Sequence, residues 1–427
     1  MTDELHRRRL FIASNIALIA TAMSFAIRGD TMGDFQTQFV EPYVQQTDLA
    51  GVEATDEQAA LAEAHVKARL GLIGTIAFFS FGLTIVFGGP MVDAFGMGML
   101  LRLAAFCHVG GAILTIFSPN YWVLVFATFV VGAGNGLVEA VCNPLIATLY
   151  PDEKTHKLTL FHAWFPGGIV IGGLAAYLFS NIGLGWQAKT ALLLIPSVIY
   201  LFLIIKEKFP ATERVAAGLS FSEMVVGAFS RPLFLVLLVI MLFTAATELG
   251  PGAWISNIYQ DVMQRKEGIL AVVWGSILMY ILRQFFSKPV HKMSPVLLIC
   301  VTAPLAAAGL YLFKFAAQGS VVMFFLAATL LYVGVCFWWP TMLGIVSERC
   351  PKSGAFGLAL VGGAGSFATF FAGPAIGALN DKFGPVGSLQ VWAILPVVIF
   401  VVFLVIYLFD QSKGGYRAQV EKLSTGE

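Results

Sequence analysis

Charged residues are scarce in this chain. Asp, Glu, Lys and Arg make up 12% of its 427 residues, whereas soluble globular proteins devote about a quarter of their residues to these types. Hydrophobic residues account for 58%. Because a membrane-spanning helix needs about 20 apolar residues, this fraction is enough for about twelve spans. The composition therefore excludes a soluble enzyme, a nucleic-acid-binding protein and a protein with a single membrane anchor.

Several other features are sparse or missing. The net charge of +1 gives no sign of a polyanionic partner. The five cysteines lie in or beside apolar runs without a C-x-x-C pair, which is typical of buried free thiols and not of a disulfide framework. The six histidines lack metal-ligand spacing within any one apolar run, so we expect no metal and no cofactor. The runs hold no nucleophile–base pair and no H-E-x-x-H motif, which argues against a membrane-embedded enzyme.

Apolar runs separated by polar or Gly/Pro-rich segments predict an all-α integral membrane protein with twelve spans. The first run contains Arg28 and Asp30 and lacks a small-residue cleavage site, so we interpret it as the first helix and not as a signal peptide. The polar segment 40–67 is interpreted as an outward extension of helix 2. The predicted spans are 10–32, 69–92, 98–118, 121–147, 158–181, 187–206, 231–258, 268–290, 294–315, 320–346, 354–380 and 387–410.

The distribution of basic residues predicts the orientation. Eighteen Lys and Arg residues fall in segments on the side of the N-terminus and seven on the opposite side, with Arg28 set aside inside helix 1. Cytoplasmic segments carry an excess of Lys and Arg. We therefore expect both termini in the cytoplasm and a multi-pass protein of the cell (inner or plasma) membrane.

The longest inside connection, 207–230, divides the spans into two sets of six. The predicted units are an N-terminal bundle (1–206), this linker, a C-terminal bundle (231–410) and a cytoplasmic tail (411–427).

Weak internal similarity supports the division. The stretch 87–93 resembles 286–292, and 143–153 resembles 339–349, at nearly the same separation along the chain. A repeated six-helix unit is typical of transporters in which two pseudo-symmetric bundles rock about a central site.

Ionisable residues inside predicted spans are the main functional candidates, because each costs on the order of 3 kcal/mol to insert. Asp30 in helix 1 and Glu248 in helix 7 lie at similar depths in equivalent helices, so we expect both to face the central cavity. Arg28 points away from Asp30 on a regular helix. Its predicted partner is Glu139, and a purely structural bridge from Arg28 to Glu139 or Asp34 is the alternative.

Helix 4 is the most informative stretch. Glu139 and Asn143 are four residues apart and therefore stack on one face. Pro144 has no N–H and leaves the carbonyl of Ala140 as a spare acceptor beside that face. A carboxylate, an amide and a free carbonyl together predict a hydrogen-bonding site for a hydroxylated solute.

Two motifs carry a family resemblance. The E-x-x-x-N-P stretch from Glu139 to Pro144 is followed by KLTLFHAWFPGG, residues 157–168. Together they resemble helices 4 and 5 of the fucose-proton symporter family within the major facilitator superfamily. The resemblance implies proton-coupled sugar uptake by two six-helix bundles. It also implies that Asp30 and Glu139 carry protonation and substrate binding.

The chain departs from that family at the sugar site. His162 stands where the family carries a glutamine, and Phe165 stands where it carries an asparagine. The fold implied by the resemblance does not depend on these positions, whereas the identity of the sugar does.

The predicted mechanism is secondary active transport. Asp30 or Glu139 takes up a proton on one side and releases it on the other as the cavity alternates. Hydroxyl contacts are assigned to Asn143, His162 and Glu248, and His162 has the alternative of a satisfied polar group in the bundle. The predicted flat apolar faces for a sugar ring are Trp164, Trp254 and Trp339, for each of which helix packing or interface anchoring is the alternative.

Other functions stay open on the sequence. Arg28 and Arg283 in opposite bundles could clamp a carboxylate or phosphate, which predicts a carrier of organic anions or sugar acids. The 37 phenylalanines also suit an exporter of apolar compounds. A non-transporting sensor is a further alternative. Sodium is an alternative coupling ion, since carboxylates and helix carbonyls suit it. The expected partners are a small-molecule substrate, a proton and the lipid bilayer, and the protein is expected to be a monomer.

Overall fold

All regular secondary structure in the described part of this computed structural model is helical. The structure describes residues 2–48, 56–216, 218, 220–263, 269–290, 292–316 and 320–418.

Two groups of long helices follow one another along the chain. The first group consists of α1 (Thr2–Phe35), α2 (Asp56–Phe95), α3 (Met97–Ile116), α4 (Tyr121–Leu149), α5a (Lys154–His162), α5b (Trp164–Asn181), α6a (Trp186–Ala191) and α6b (Leu194–Ile204). The predicted linker contains two short helices, Glu213–Ala216 and Phe221–Phe229. The second group consists of α7 (Pro232–Met263), α8 (Ile269–Phe285), α9 (Pro295–Ala316), α10a (Val321–Val335), α10b (Trp338–Arg349), α11 (Gly354–Trp392) and α12 (Ile394–Ser412).

The helices account for the predicted spans. Ten stretches of the described chain are long and apolar enough to cross a membrane. The last of them, Pro351–Ser412, contains 62 residues and is broken where Gly384 takes φ 75°, so it supplies two spans. The shorter apolar helix Val272–Phe285 supplies one more. Counted this way, the described residues form the twelve spans of a multi-pass membrane protein, and the prediction is confirmed.

Besides the short break between α6a and α6b, two spans are interrupted near their middle. Helical structure breaks at Ala163 between α5a and α5b, and at Cys336 and Phe337 between α10a and α10b. Each break lies just before a proline, Pro166 or Pro340, which has no N–H to donate to the preceding turn.

The polar segment after helix 1 folds differently from the prediction. Helical structure continues beyond α1 through the π-helical turns Gln36–Val40 and Val44–Asp48. The assignment of 40–67 to helix 2 is therefore wrong for residues 40–48, which extend helix 1. Phe39 and Val44 are buried in an aromatic cluster that also contains Trp186, so their apolar side chains pull this stretch onto the bundle. Residues 49–55 lie outside the described part of the chain.

The first and last described segments of the chain lie on the same side of the molecule, here called the termini side; the opposite side is called the far side. His6 Nδ1 lies 2.7 Å from Glu207 Oε2 at the end of helix 6. The Arg7 guanidinium lies over the ring of Tyr150, just after α4. In the tail, the Tyr416 hydroxyl donates to Glu348 of α10b at 2.7 Å.

The two helix groups pack tightly together on the termini side, along a contact that we call the termini-side seam. Thr155 of α5a donates a hydrogen bond to Glu348 of α10b. A side chain at Gly89 of α2 would overlap Ala359 of α11. Such small residues allow helix backbones to approach closely inside a membrane.

Candidate functional site

The predicted face of α4 is part of a buried polar group. The Asn143 amide Nδ2 donates to Glu139 Oε2 at 2.8 Å and to the Glu139 backbone carbonyl at 2.9 Å. His162, at the end of α5a, places Nε2 3.0 Å from Asn143 Oδ1 and 3.9 Å from Glu139 Oε2. Because the Asn143 oxygen accepts here, His162 carries its proton on Nε2. The helical spacing in α4 and the Asn143 amide thus link the three predicted side chains directly.

A second buried group surrounds Arg283 of α8, whose side chain is 3% exposed. Its Nη2 donates to Glu248 Oε1 of α7 at 2.8 Å. Its Nε donates to the carbonyl of Cys336 at 2.5 Å, and its Nη1 donates to the carbonyl of His162 at 3.0 Å. A charge is tolerated in a dry interior when it is paired and hydrogen-bonded, and Arg283 meets both conditions.

Arg283 joins the two groups. Its bond to the His162 carbonyl connects α8, in the second group of helices, to α5a in the first, and the His162 ring continues to Asn143 and Glu139. The structure therefore brings together five of the predicted site residues in one hydrogen-bonded chain, which we call the central network. Its members are Glu139, Asn143, His162, Glu248 and Arg283.

Two polar atoms at the edge of the central network have no hydrogen-bond partner among the described residues. They are Glu248 Oε2 and the indole Nε1 of Trp339, and both are buried. The Trp339 backbone N–H faces the Glu248 carboxylate. The acceptor without a partner, Glu248 Oε2, and the donor without a partner, Trp339 Nε1, therefore belong to neighbouring residues. Buried polar atoms are nearly always paired. This pair suits a ligand that both donates and accepts hydrogen bonds.

The predicted tryptophans differ in position. Trp339 is 9% exposed and lies against Gly365 of α11, where a side chain would overlap its ring. Trp164 is half-buried and meets Tyr280 of α8 edge to face at a centroid distance of 5.2 Å. The side chain of Trp254 lies outside what the structure describes.

Asp30 does not join the central network. Its carboxylate lies 2.7 Å from the ammonium of Lys189 in α6a. The expectation that Asp30 and Glu248 face one cavity is therefore not met in this conformation. The sequence hid this pair because Lys189 is one of the seven basic residues counted in segments opposite the N-terminus, whereas α6a begins at Trp186 and carries Lys189 on its buried face.

The predicted contact between Arg28 and Glu139 is wrong. The Arg28 guanidinium lies over the rings of Phe25 and Phe78, at 4.9 and 5.9 Å from their centroids. The two residues lie at different depths. Arg7 of α1 lies level with Tyr150, just after α4. Counted from that level, a rise of 1.5 Å per residue places Arg28 about 15 Å farther toward the far side than Glu139. In the described part of the chain, no carboxylate lies within ion-pair distance of Arg28.

Sequence analysis missed a polar network inside the first group of helices. Asn135 Nδ2 donates to Ser24 Oγ at 2.9 Å, and Asn135 Oδ1 lies 2.8 Å from Nε2 of His108. Nδ1 of His108 lies 3.0 Å from the Tyr200 hydroxyl. All four residues are buried. Polar residues inside predicted spans were the available signal, but their spacing along the chain does not reveal contacts between helices.

Comparison with known proteins identifies the fold. The family model described as "Major Facilitator Superfamily" matches residues 10–353. The solved structure of a proton:xylose symporter superposes with a TM-score of 0.77 at 14% identity, covering 94% of this chain and 96% of that one. The fucose:proton symporter of E. coli gives a TM-score of 0.72 at 15% identity, over 92% and 98%. A human organic anion transporter gives 0.74 at 14% identity, over 93% and 99%.

Proteins that are similar in sequence match shorter stretches of this chain. A D-xylose transporter of Levilactobacillus brevis is 32% identical over 116 residues, 27% of this chain and 25% of that protein. A gentisate transporter of Corynebacterium glutamicum is 32% identical over 152 residues, 33% of this chain and 32% of that protein. The chain thus spans about a quarter to a third of the length of these two relatives.

Proposed function

Because this chain belongs to the major facilitator superfamily, it is a membrane transporter and not an enzyme, and we propose that it carries a sugar or a similar polyhydroxylated solute together with a proton. Transport proceeds by alternating access, with the solute bound between the two six-helix bundles, 1–206 and 231–410. Within the superfamily we place it near the fucose-proton symporters on the helix 4 and helix 5 motifs. The protein acts as a monomer.

The central network is the observation that carries this proposal. It lies where the two bundles meet, and it is built from carboxylates, an amide, an imidazole and a guanidinium. Such groups recognise hydroxyl groups by both donating and accepting hydrogen bonds. A sugar hydroxyl beside Glu248 and Trp339 would supply partners for the two atoms that have none, Glu248 Oε2 and Trp339 Nε1.

The charges of the central network support proton coupling. The network contains two carboxylates, of which Glu248 pairs with the one guanidinium and Glu139 contacts Asn143 and His162. With a neutral His162 it therefore carries one uncompensated negative charge. An uncompensated charge in a dry interior costs several kcal/mol. One proton on Glu139 makes the network neutral and favours the closed, dehydrated site. Release of that proton when water enters from the other side completes the cycle. Asp30, paired with Lys189 near the far side, is the proposed entry point for the proton.

The positions of the charged loops suggest the orientation. The excess of Lys and Arg on the termini side supports cytoplasmic termini in a cell membrane, with the linker 207–230 inside. The far side then faces the exterior. A proton gradient that is acid outside would drive the solute inward.

The names of similar proteins support the substrate class. A D-xylose transporter is among the relatives, and proton symporters of xylose and fucose are among the structural neighbours. His162 and Phe165 replace the polar pair of the fucose-proton symporters, so we expect a sugar or polyol other than fucose to be preferred.

A second candidate is the transport of organic anions, and Arg28 favours it. Arg28 has no carboxylate partner in the described chain, and it lines a cavity with the hydroxyl-bearing residues Ser24, Thr31 and Thr190. The gentisate transporter and the human organic anion transporter fit this reading. The predicted clamp of two arginines is not formed, however, because Arg283 already donates hydrogen bonds to Glu248 and to two backbone carbonyls.

Counterflow in proteoliposomes tests the two candidates. Vesicles loaded with unlabelled D-xylose, fucose, myo-inositol or gentisate are diluted into the corresponding labelled solute. Exchange of a neutral sugar or polyol that survives Arg28→Gln supports the first proposal. Exchange of gentisate alone, abolished by Arg28→Gln, overturns it in favour of the anion carrier.

A further inference from the structure

The two carbonyls that bind Arg283 share an unusual origin. In an α-helix, each carbonyl accepts a hydrogen bond from the N–H four residues later. Four residues after His162 stands Pro166, which has no N–H. The His162 carbonyl is thereby released from its own helix at the break between α5a and α5b. Arg283 Nη1 donates to it at 3.0 Å.

The second carbonyl repeats the arrangement in the other bundle. Four residues after Cys336 stands Pro340, again without an N–H. The chain breaks between α10a and α10b at this point, and Arg283 Nε donates to the Cys336 carbonyl at 2.5 Å. Both backbone acceptors of Arg283 are therefore carbonyls that a proline has freed, one in each bundle.

We propose that Pro166 and Pro340 are positioning residues for Arg283, and that Arg283 is the brace that holds the two bundles together next to the central site. With an N–H at position 166 or 340, the corresponding carbonyl would be taken up by its own helix. Arg283 would then keep Glu248 but lose one of its two backbone anchors. This inference rests on alternating access as part of the proposed function, and it is independent of the transported solute.

The position of the brace assigns it to one state of the cycle. The bond from Arg283 to His162 crosses between bundles, and the termini-side seam, with Thr155 and Glu348, lies toward the termini side of it. Opening a path to the termini side separates α5a from α8 and α10b, so the bond to His162 must break. The brace therefore favours the conformation that is closed on the termini side.

A native cysteine reports on that closure. Cys350, at the end of α10b, is 1% exposed and lines a cavity at the termini-side seam with Pro144 and Ala147 of α4. Opening of the seam exposes its thiol. Cys107 in α3 is half-buried and lies away from the seam, so it serves as the internal reference in the same molecule.

The experiment measures N-ethylmaleimide labelling of Cys350 relative to Cys107 by peptide mass spectrometry, using the full chain in lipid nanodiscs without added solute. We expect Pro166→Ala, Pro340→Ala and Arg283→Gln each to raise the relative labelling rate about tenfold. A factor of this size corresponds to the loss of one hydrogen bond that involves a charged group. The matched control is Pro304→Ala, which changes a proline inside α9, outside the Arg283 contacts. Its rate should equal that of the native chain.

Double variants separate positioning from a general effect of the helix kink. If the prolines act through Arg283, Pro166→Ala adds nothing in the Arg283→Gln background. An additive effect there, or an unchanged rate in the Pro166→Ala variant, overturns the proposal. Arg283→Lys replaces Arg283→Gln if the latter does not fold, since lysine keeps the charge beside Glu248 but cannot reach both carbonyls. Because no solute is added, the result does not depend on whether the chain carries sugars.

Discussion

Lys189 and Asp30 form an ion pair on the far side, with the ammonium nitrogen 2.7 Å from the carboxylate oxygen. The Lys189 side chain is 8% exposed and that of Asp30 is 33% exposed. The pair fastens α6a to α1 and compensates a nearly buried ammonium. Removal of the Asp30 carboxylate would leave the Lys189 ammonium without its counter-charge.

Replacing Asp30 tests the pair. We expect Asp30→Asn to lower the free energy of unfolding by about 1 kcal/mol, because Lys189 loses its counter-charge while solvent screens part of the interaction. Thermal unfolding of the purified protein measures the change. The double variant Asp30→Asn with Lys189→Gln should recover most of the lost stability. If it also recovers proton-driven accumulation, Asp30 has no part in coupling.

Replacing Glu139 separates coupling from binding. Glutamine keeps an oxygen that accepts from Asn143 but cannot exchange a proton, so we expect Glu139→Gln to retain counterflow and to lose accumulation driven by a pH gradient. Both are measured as tracer uptake in proteoliposomes. Glu223→Gln, the same change at an exposed linker carboxylate, is the matched control and should behave like the native chain. Accumulation by Glu139→Gln at the native level would contradict the role assigned to Glu139.

The pair Arg349–Asp410 should be important for stability. The two groups lie 2.7 Å apart, with side chains 11% and 6% exposed. Removal of one partner from a buried pair typically costs 3–5 kcal/mol, and we expect Asp410→Asn to lower the free energy of unfolding by about 3 kcal/mol. The exposed Asp381 of α11 provides the control Asp381→Asn, for which no change is expected. Equal unfolding temperatures for both variants would show that the pair contributes little.

The far end of helix 1 should respond to acid. Arg69 donates two hydrogen bonds to Asp48, and with a smaller effect from His65 it holds the pKa of that carboxyl below its usual range. Because the pKa of Asp48 is lower in the folded state than in the unfolded state, its ionised form stabilises the contact at pH values above the unfolded pKa of about 3.9. This stabilisation is lost as the pH falls through the folded pKa. Asp48 lies 16 residues beyond the predicted first span, which ends at residue 32, and so outside the membrane.

Hydrogen exchange of the segment 36–48, compared between the native chain and Asp48→Asn, measures this contact. Because both proteins share the same intrinsic exchange rates at each pH, the difference reports the contact alone. We expect greater protection of the native segment at pH 7 and a difference that narrows progressively as the pH falls below about 3.9. A difference that stays constant down to the lowest pH at which the protein remains folded would show that the carboxylate charge is not its source.

The sequence predicted those parts of the site that a single helix determines. Glu139 and Asn143 are brought together by four-residue spacing within α4, and the structure shows the contact. Glu248 and Arg283 were both identified as candidates, but their pairing depends on how α7 and α8 rotate against each other. That rotation is set by packing, which one sequence does not reveal. The prediction for Arg28 failed because its partner was chosen from its direction on helix 1, which does not give its depth relative to Glu139, and α1 extends well beyond its apolar core.

The prolines mark a different limit. Pro144 was interpreted as the source of a free carbonyl, and the same reasoning applies to Pro166 and Pro340. What the sequence could not provide was the donor, since Arg283 lies more than 50 residues from Cys336 and more than 100 from His162 along the chain. Free acceptors can thus be found from sequence, whereas their partners require the fold.

We propose that solute and proton cross the membrane together. The most direct test uses proteoliposomes that contain a pH-sensitive dye and no imposed gradient, to which an inward gradient of D-xylose or myo-inositol is applied. We predict acidification of the vesicle interior with the native chain, and none with Glu139→Gln although the labelled solute still equilibrates. Solute entry without any pH change, or entry that requires sodium, would show that transport is not coupled to protons.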